Sequence, residues 1–299
     1  MRTAILGLSA LLVLGANQAN AQSTGGTTLS VAFAGSMGAV MDRGIGPAFT
    51  RKTGDAVQGR GAGALGLAHL IAARTITPDV FVSISPTPIK TVEEASMAAG
   101  KAVPIATTAV VLAYGPKSSF VAAIKADGVK ALSAPKLRFG RTNPATDPLG
   151  QYSLFALQRA EAVYNMPGFA QKVAGPNENP AQIFTEPSIL ARLAAGQIDA
   201  SFAYQSYAFS QHVPYVTLPD SLNFSNPALS ADYAKASLTL TVKGKTVTAH
   251  PGPLVFYAVV LNNAAHPAAA KAFVAFLQSA QGQAILKAYG YGPPKGGAL

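Results

Sequence analysis

The sequence predicts an α/β protein of two modest units, and three observations carry that reading. Short apolar runs alternate with amphipathic helical patterns from residue 29 onward, the rhythm of a doubly wound parallel sheet. Two longer apolar runs, 106–114 (ATTAVVLAY) and 254–261 (LVFYAVVL), lie far apart and read as the outward and return crossings between the units. At 299 residues the chain suffices for one large or two modest domains with a sizeable core.

After a loose Gly/Thr linker (22–28), residues 29–34 (LSVAFA) read as a buried strand. Gly35-Ser36 ends it and a helical pattern follows through Phe49. Residues 56–58 form a second short strand, and Gly59-Arg60-Gly61-Ala62-Gly63 opens a helix over 64–74. A third strand, 79–84, follows Pro78. Helices are expected over 119–133 and 149–166. Asp147-Pro148 supplies an N-cap residue and a proline at the first helical position of the latter. A further helix, 189–195, stops at Gly196, and strands follow at 200–204 and 213–218. Residues 238–242 and 247–249 make a hairpin around Lys243-Gly244-Lys245. Helices over 267–278 and 280–289 close the chain.

The first 21 residues read as a signal peptide. Arg2 is the positive region, 4–15 the apolar run, and Ala19-Asn20-Ala21 the cleavage site before Gln22. The apolar run is too short for a membrane span and no later one is longer, so the mature chain is expected to be a free periplasmic protein, not membrane-embedded. With no cysteine it has no disulfide and no thiol for lipid attachment. Loss of the leader removes Arg2, leaving 22 Lys+Arg against 13 Asp+Glu. These charges are scattered and do not interleave with aromatic residues, which argues against a nucleic-acid platform and for a general field that draws in small anions.

Enzymatic and cofactor chemistry finds little support. His69, His212, His250 and His266 stand in different contexts, none spaced with a second ligand as a metal site requires, and His69 reads as a packing or surface residue within a helix. No G-x-S-x-G elbow occurs. The run 61–66 (GAGALG) has the form of a dinucleotide fingerprint, but the acidic residue expected about 20 positions on falls near Asp79, before a strand. No cofactor is expected. Three loops instead open helices: Ser36, Gly61-Ala62-Gly63, and Asp147 to Gly150. Each offers backbone N–H donors and the positive end of a helix dipole to an anion, and Ser36 adds a hydroxyl that is alternatively a simple N-cap.

These segments, taken in order, resemble the molybdate/tungstate-binding proteins that feed ABC importers, especially the branch of the archaeal tungstate/molybdate binder. The matching pieces are VAFAGSMGAV (31–40), GAGALGLAHLI (61–71), DVFVSIS (79–85), VVLAYGPKS (110–118), FGRTNPATDPLGQYSL (139–154), IDASFAYQS (198–206), residues 218–240 and the tail 254–286. The resemblance implies a two-lobe type II periplasmic binding fold with two hinge strands. Lobe I would comprise 26–108 and 256–299, and lobe II 109–255. It implies a monomeric receptor for a tetrahedral oxyanion, molybdate or tungstate before sulfate or chromate, delivering to an ABC permease. An exported enzyme acting on an anionic substrate in the same cleft is the alternative. The family's site maps onto Ser36, Ala62, Gly63, Asp147, Gly150 and Tyr204, with Gln151 inserted before Tyr152. The archaeal branch completes a six-coordinate metal centre with an aspartate and a glutamate. That glutamate is expected just before the tyrosine, where this chain has Ala203. On this reading Asp147 is the sole carboxylate left, either donating an oxygen or acting as an N-cap turned away from the ligand, and the cap is favoured. Arg60 and Arg141 flank two of the loops, as anion partners or as surface ion pairs.

Overall fold

The computed structural model describes residues 26–242 and 244–299. The expected signal peptide and Lys243 of the expected hairpin turn lie outside the described residues. In chain order the strands are β1 (Thr28–Ala34), β2 (Ala56–Ala62), β3 (Val80–Ser83), β4 (Val103–Thr107), β5 (Val110–Tyr114) and β6 (Phe139–Gly140). They continue with β7 (Ala200–Tyr204), β8 (Tyr215–Thr217), β9 (Leu238–Val242), β10 (Lys245–Ala249) and β11 (Val255–Val260). β1, β2, β3, β4 and β11 build a five-stranded sheet ordered β2-β1-β3-β11-β4. The second sheet is ordered β6-β7-β5-β8, and β9 pairs with β10 as a hairpin.

The sheets are mixed and not wholly parallel as the rhythm predicts. β1 runs parallel to β2 and β3, but β11 is antiparallel to β3 and β4. β11 enters from the return crossing and not from a crossover helix, so it runs against its neighbours. In the second sheet β5 is antiparallel to β7 and β8. The expected strand over 106–114 is two strands in different sheets, broken at Thr108-Ala109, where the chain passes from one sheet to the other. The expected return strand lies wholly inside the first sheet, so the return passage is residues 250–254 just before it. The two passages are bonded to each other: the Thr108 N–H donates to Leu254 O at 3.1 Å.

β2 also differs from its short expected form. It extends through Gly59-Arg60-Gly61-Ala62, each residue paired in register with β1 from Val31 to Ala34. The glycines make room for the buried Phe33 ring: a Cβ on Gly59 would sit 2.6 Å from it, and one on Gly61 2.8 Å. The glycine-rich run is therefore an edge strand shaped around an aromatic ring, with Gly63 alone capping the next helix, Ala64–Ala72. The core of the first half is completed by residues 35–53, helical throughout, where Phe49 meets Phe273 and Phe276 edge-on at 5.1 and 5.6 Å. Among the described residues no helix is long and apolar enough to cross a membrane.

Candidate functional site

The loops singled out in the sequence lie against one another. Ser36 sits in the turn Gly35–Met37 at the C-terminal end of β1, 5% exposed, with no side-chain cap bond in that turn. Its hydroxyl is thus not consumed as the N-cap that the sequence allows. The Ser36 turn lies against the end of β2, since a Cβ on Gly35 would stand 3.5 Å from Ala62 O. Gly63, next along, approaches the other half of the molecule, its Cβ position 3.1 Å from Thr146 O. Ser36, Ala62, Gly63 and the 143–147 loop therefore form one continuous rim.

Asp147 is the N-cap that the sequence favoured. Its Oδ1 accepts the Leu149 N–H at 2.9 Å, capping the helix Pro148–Val163. Its charge also acts on two other groups, raising the pKa of Glu186 and of Tyr204. Burial raises its pKa, partly offset by the Leu149 N–H and the Thr142 hydroxyl. Gly150 departs from expectation. Its N–H is already given to Asp147 O at 3.1 Å. Its lack of a side chain instead lets the helix pack on the loop, since a Cβ would stand 2.5 Å from Thr142 O and 2.7 Å from the Asn143 carbonyl carbon. Tyr204, 3% exposed, has its hydroxyl buried without a partner, and its pKa is raised by burial, then by Asp147, Tyr152 and Glu186.

Glu186 is the residue the sequence reading missed. It sits at the start of the helix Glu186–Ala195, three residues earlier than the hydrophobic pattern places that helix. Its Oε1 is buried with no hydrogen-bond partner, and burial together with the charge of Asp147 pushes its pKa up to about 8. A second carboxylate that interacts with Asp147 thus comes from another element of the chain. The signal was local: Thr185-Glu186-Pro187 is a cap residue, an acid and a proline, a helix start in its own right.

Glu186 also bears on Tyr207, raised to about 12 chiefly by burial, and on the buried Tyr291. Carboxylates, phenols and the Thr142 hydroxyl are thus gathered with several atoms unpaired, and buried polar atoms without partners are rare in folded proteins. No basic side chain is among the groups that shift Asp147 or Glu186. Arg141 is fully buried, and its Nη1 is among the buried atoms without a partner. Its Nη2 donates to Pro176 O at 2.9 Å and its Nε to Gln182 Oε1 at 3.3 Å, while desolvation lowers its pKa to about 10. Arg60 lies on exposed β2. Among the described residues no group of three His, Cys, Asp or Glu could hold a metal ion by itself.

Tyr152 frames the site from behind. Its hydroxyl donates to Gly252 O in the return passage at 2.8 Å, and its ring meets Tyr204 at 6.5 Å and Phe224 at 5.1 Å. The helix Pro148–Val163 is thereby tied to residues 250–254.

Comparison with known proteins agrees with this architecture. The sequence profile described as bacterial extracellular solute-binding protein matches residues 29–292. A solute-binding protein of Petrotoga mobilis is 31% identical over 198 residues, 64% of this chain and 61% of that protein. A putative ABC transporter molybdenum-binding protein of Haloferax volcanii is 29% identical over 233 residues, 77% of this chain and 72% of its own. The molybdate/tungstate-binding protein WtpA of Pyrococcus abyssi is 27% identical over 204 residues, 61% of this chain and 59% of its own. The chain thus spans about three fifths of two of these relatives. Among solved structures, the periplasmic molybdate-binding protein of Azotobacter vinelandii superposes with a TM-score of 0.64 at 17% identity, covering 89% of this chain and all of that one. At that identity the likeness speaks for the fold, which is that of the type II periplasmic binding proteins.

Proposed function

Because the chain belongs to the bacterial extracellular solute-binding proteins, we propose that it captures a metal oxyanion, molybdate or tungstate, between its two sheets and hands it to an ABC permease. The lobes are the two sheets with their helices, and the hinge is the pair of passages at 107–110 and 250–254. The export expected from the sequence places this work in the periplasm. The relatives' names point the same way.

One observation carries the choice of ligand: two half-buried carboxylic acids, Asp147 and Glu186, act on one another and both act on the buried Tyr204 hydroxyl. Beside a sulfate dianion an ionised carboxylate is repulsive by about 8 kcal/mol at 4 Å and an effective dielectric of 20, twice the value for two unit charges. Sulfur offers no vacant coordination position to offset that. Molybdenum and tungsten in their oxyanions do, and a carboxylate oxygen then becomes a ligand of the metal. Ser36 Oγ and the Tyr204 hydroxyl supply donors for the oxo groups, with backbone N–H groups near Gly63. The Ala62 position bounds the site through its main chain.

Isothermal calorimetry of the full chain with tungstate, molybdate, sulfate and phosphate tests this. Tungstate and molybdate should bind far more tightly than the other two. Tighter binding of sulfate or phosphate would overturn the reading. Recovery of the ligand unchanged separates capture from turnover, which is the outcome expected of a receptor.

A further inference from the structure

We propose that Arg141 is a positioning residue of the site: it fastens the irregular segment 175–185 at both ends and so sets where Glu186 stands beside the Asp147 loop. The inference rests on the capture reading above but concerns a side chain whose bonds go to protein atoms and not to the anion.

The two acids of the site lie on different stretches of chain, and one isolated pairing joins those stretches. Arg141 bridges Ile183 in parallel: the Arg141 N–H donates to Gln182 O at 2.8 Å, and the Phe184 N–H donates to Arg141 O at 3.0 Å. Asp147 follows six residues after this bridge on one stretch, and Glu186 three residues after it on the other. Between the helices Phe169–Ala174 and Glu186–Ala195, residues 175–185 form neither helix nor strand. Their course therefore depends on individual bonds. The Arg141 side chain supplies two, from Nη2 to Pro176 O at 2.9 Å near the start of the segment and from Nε to Gln182 Oε1 at 3.3 Å near its end. Gln182 Nε2 in turn donates to Val173 O at 2.8 Å, in the preceding helix. One residue thus holds both ends of the segment with its guanidinium and aligns the residues just before Glu186 with its main chain.

Packing supports the same alignment. A Cβ on Gly140 would stand 3.4 Å from the Phe184 ring, so the stretch before Glu186 lies close against β6, and the Arg192 guanidinium covers that ring at 4.2 Å. An arginine is a poor filler for such a place. Arg141 is fully buried with Nη1 unpartnered, and the ion pairs among the described residues join Arg138 to Asp199 and Lys235 to Asp232. Taking a cation out of water without a counter-charge is costly, and an apolar side chain of similar size would fill the space more stably. What only the guanidinium offers is a rigid planar fork that meets two acceptors in a fixed relation. A lysine has a single flexible ammonium and cannot hold Pro176 and Gln182 in that relation.

The test is a cycle of variants of the full chain, Arg141→Met, Glu186→Gln and the pair, read as tungstate affinity by calorimetry. Arg141→Met should weaken tungstate by about tenfold, and by less than about twofold where Glu186→Gln is already present, because no Glu186 carboxylate is then left to place. Arg141→Lys should fall between Arg141→Met and the unaltered chain. Should Arg141→Met not fold, Gln182→Leu removes one arm of the clamp and should show the same dependence on Glu186 at roughly threefold. Tungsten-edge X-ray absorption of the tungstate complexes gives a second reading, in which Arg141→Met should show fewer oxygen neighbours around the metal than the unaltered chain. Equal losses with and without the Glu186 carboxylate would overturn the assignment, as would full recovery in Arg141→Lys, tungstate affinity unmoved in Arg141→Met, or an unaltered absorption spectrum. Failure of the unaltered chain to bind tungstate or molybdate would instead remove the capture reading, and this inference with it.

Discussion

Glu186 and Asp147 make the residue scale the most informative one, because their chemistry is readable without any ligand. An acid whose folded pKa lies above its unfolded value keeps its proton in the folded state across the interval between the two. For Glu186 that interval runs from 4.5 to about 8. Over it the folded chain binds more protons than the unfolded one, so stability falls as pH rises, by on the order of a few kcal/mol in total. The ligand-free melting temperature should therefore be higher near pH 5 than near pH 8, by several degrees for a chain of this size. Glu186→Gln, which cannot lose a proton, should flatten much of that slope; an unchanged slope would mean the carboxyl is not held neutral. Asp147 separates its two roles in another way. Asp147→Ala removes a cap, costing about 1 kcal/mol of ligand-free stability, while tungstate affinity should fall by well over the roughly fivefold equivalent of that cost. Equal losses would reduce Asp147 to a cap. The aspartate was legible in the sequence because Asp-Pro marks a helix start. The glutamate was not, because its partner is 39 positions away and only the fold brings them together.

At the scale of elements, the strand rhythm was legible and the pairing directions were not. Apolar runs mark β1, β3, β5, β7 and β11 because buried strands need such residues whichever way they run. Direction depends on how the chain returns, and a single sequence does not encode that locally. The glycine-rich run 59–63 shows a second limit. Glycine reads as a turn or a phosphate loop, yet here the space it leaves is filled by a ring from the neighbouring strand. This makes a prediction for β2. Gly59→Ala should destabilise the ligand-free protein by about 1–3 kcal/mol, the usual cost of overpacking, because Phe33 is buried and its ring must move. Combining it with Phe33→Leu should cost less than the sum of the two single changes in chemical denaturation, since contacting residues couple. Strict additivity would show that the ring is not what dictates glycine there. The helix beginning at Glu186 was placed late for a related reason. Hydrophobic periodicity begins at Ile189, whereas the cap and proline begin the helix before any apolar residue is needed.

For the whole molecule, the charge balance and the site pull in opposite directions. The chain carries 23 Lys+Arg against 13 Asp+Glu, for a net +10, while the proposed site holds two carboxylates and no basic side chain among the groups acting on them. A diffuse positive field acts on an approaching dianion from a distance and is screened by salt, whereas contacts inside a closed site are screened far less. The two contributions should therefore separate in kinetics. Raising ionic strength from about 0.01 M, where the screening length is about 30 Å, to 1 M, where it is about 3 Å, should slow tungstate association severalfold and leave dissociation nearly unchanged. Stopped-flow measurement across that range, with sodium chloride as the salt, checks both rates on one sample. Dissociation that accelerates with salt would place the holding energy in exposed charge pairs, contrary to a site built from half-buried carboxylic acids and hydroxyls. Association indifferent to salt would mean that the net charge serves solubility alone and that the anion finds the cleft without guidance.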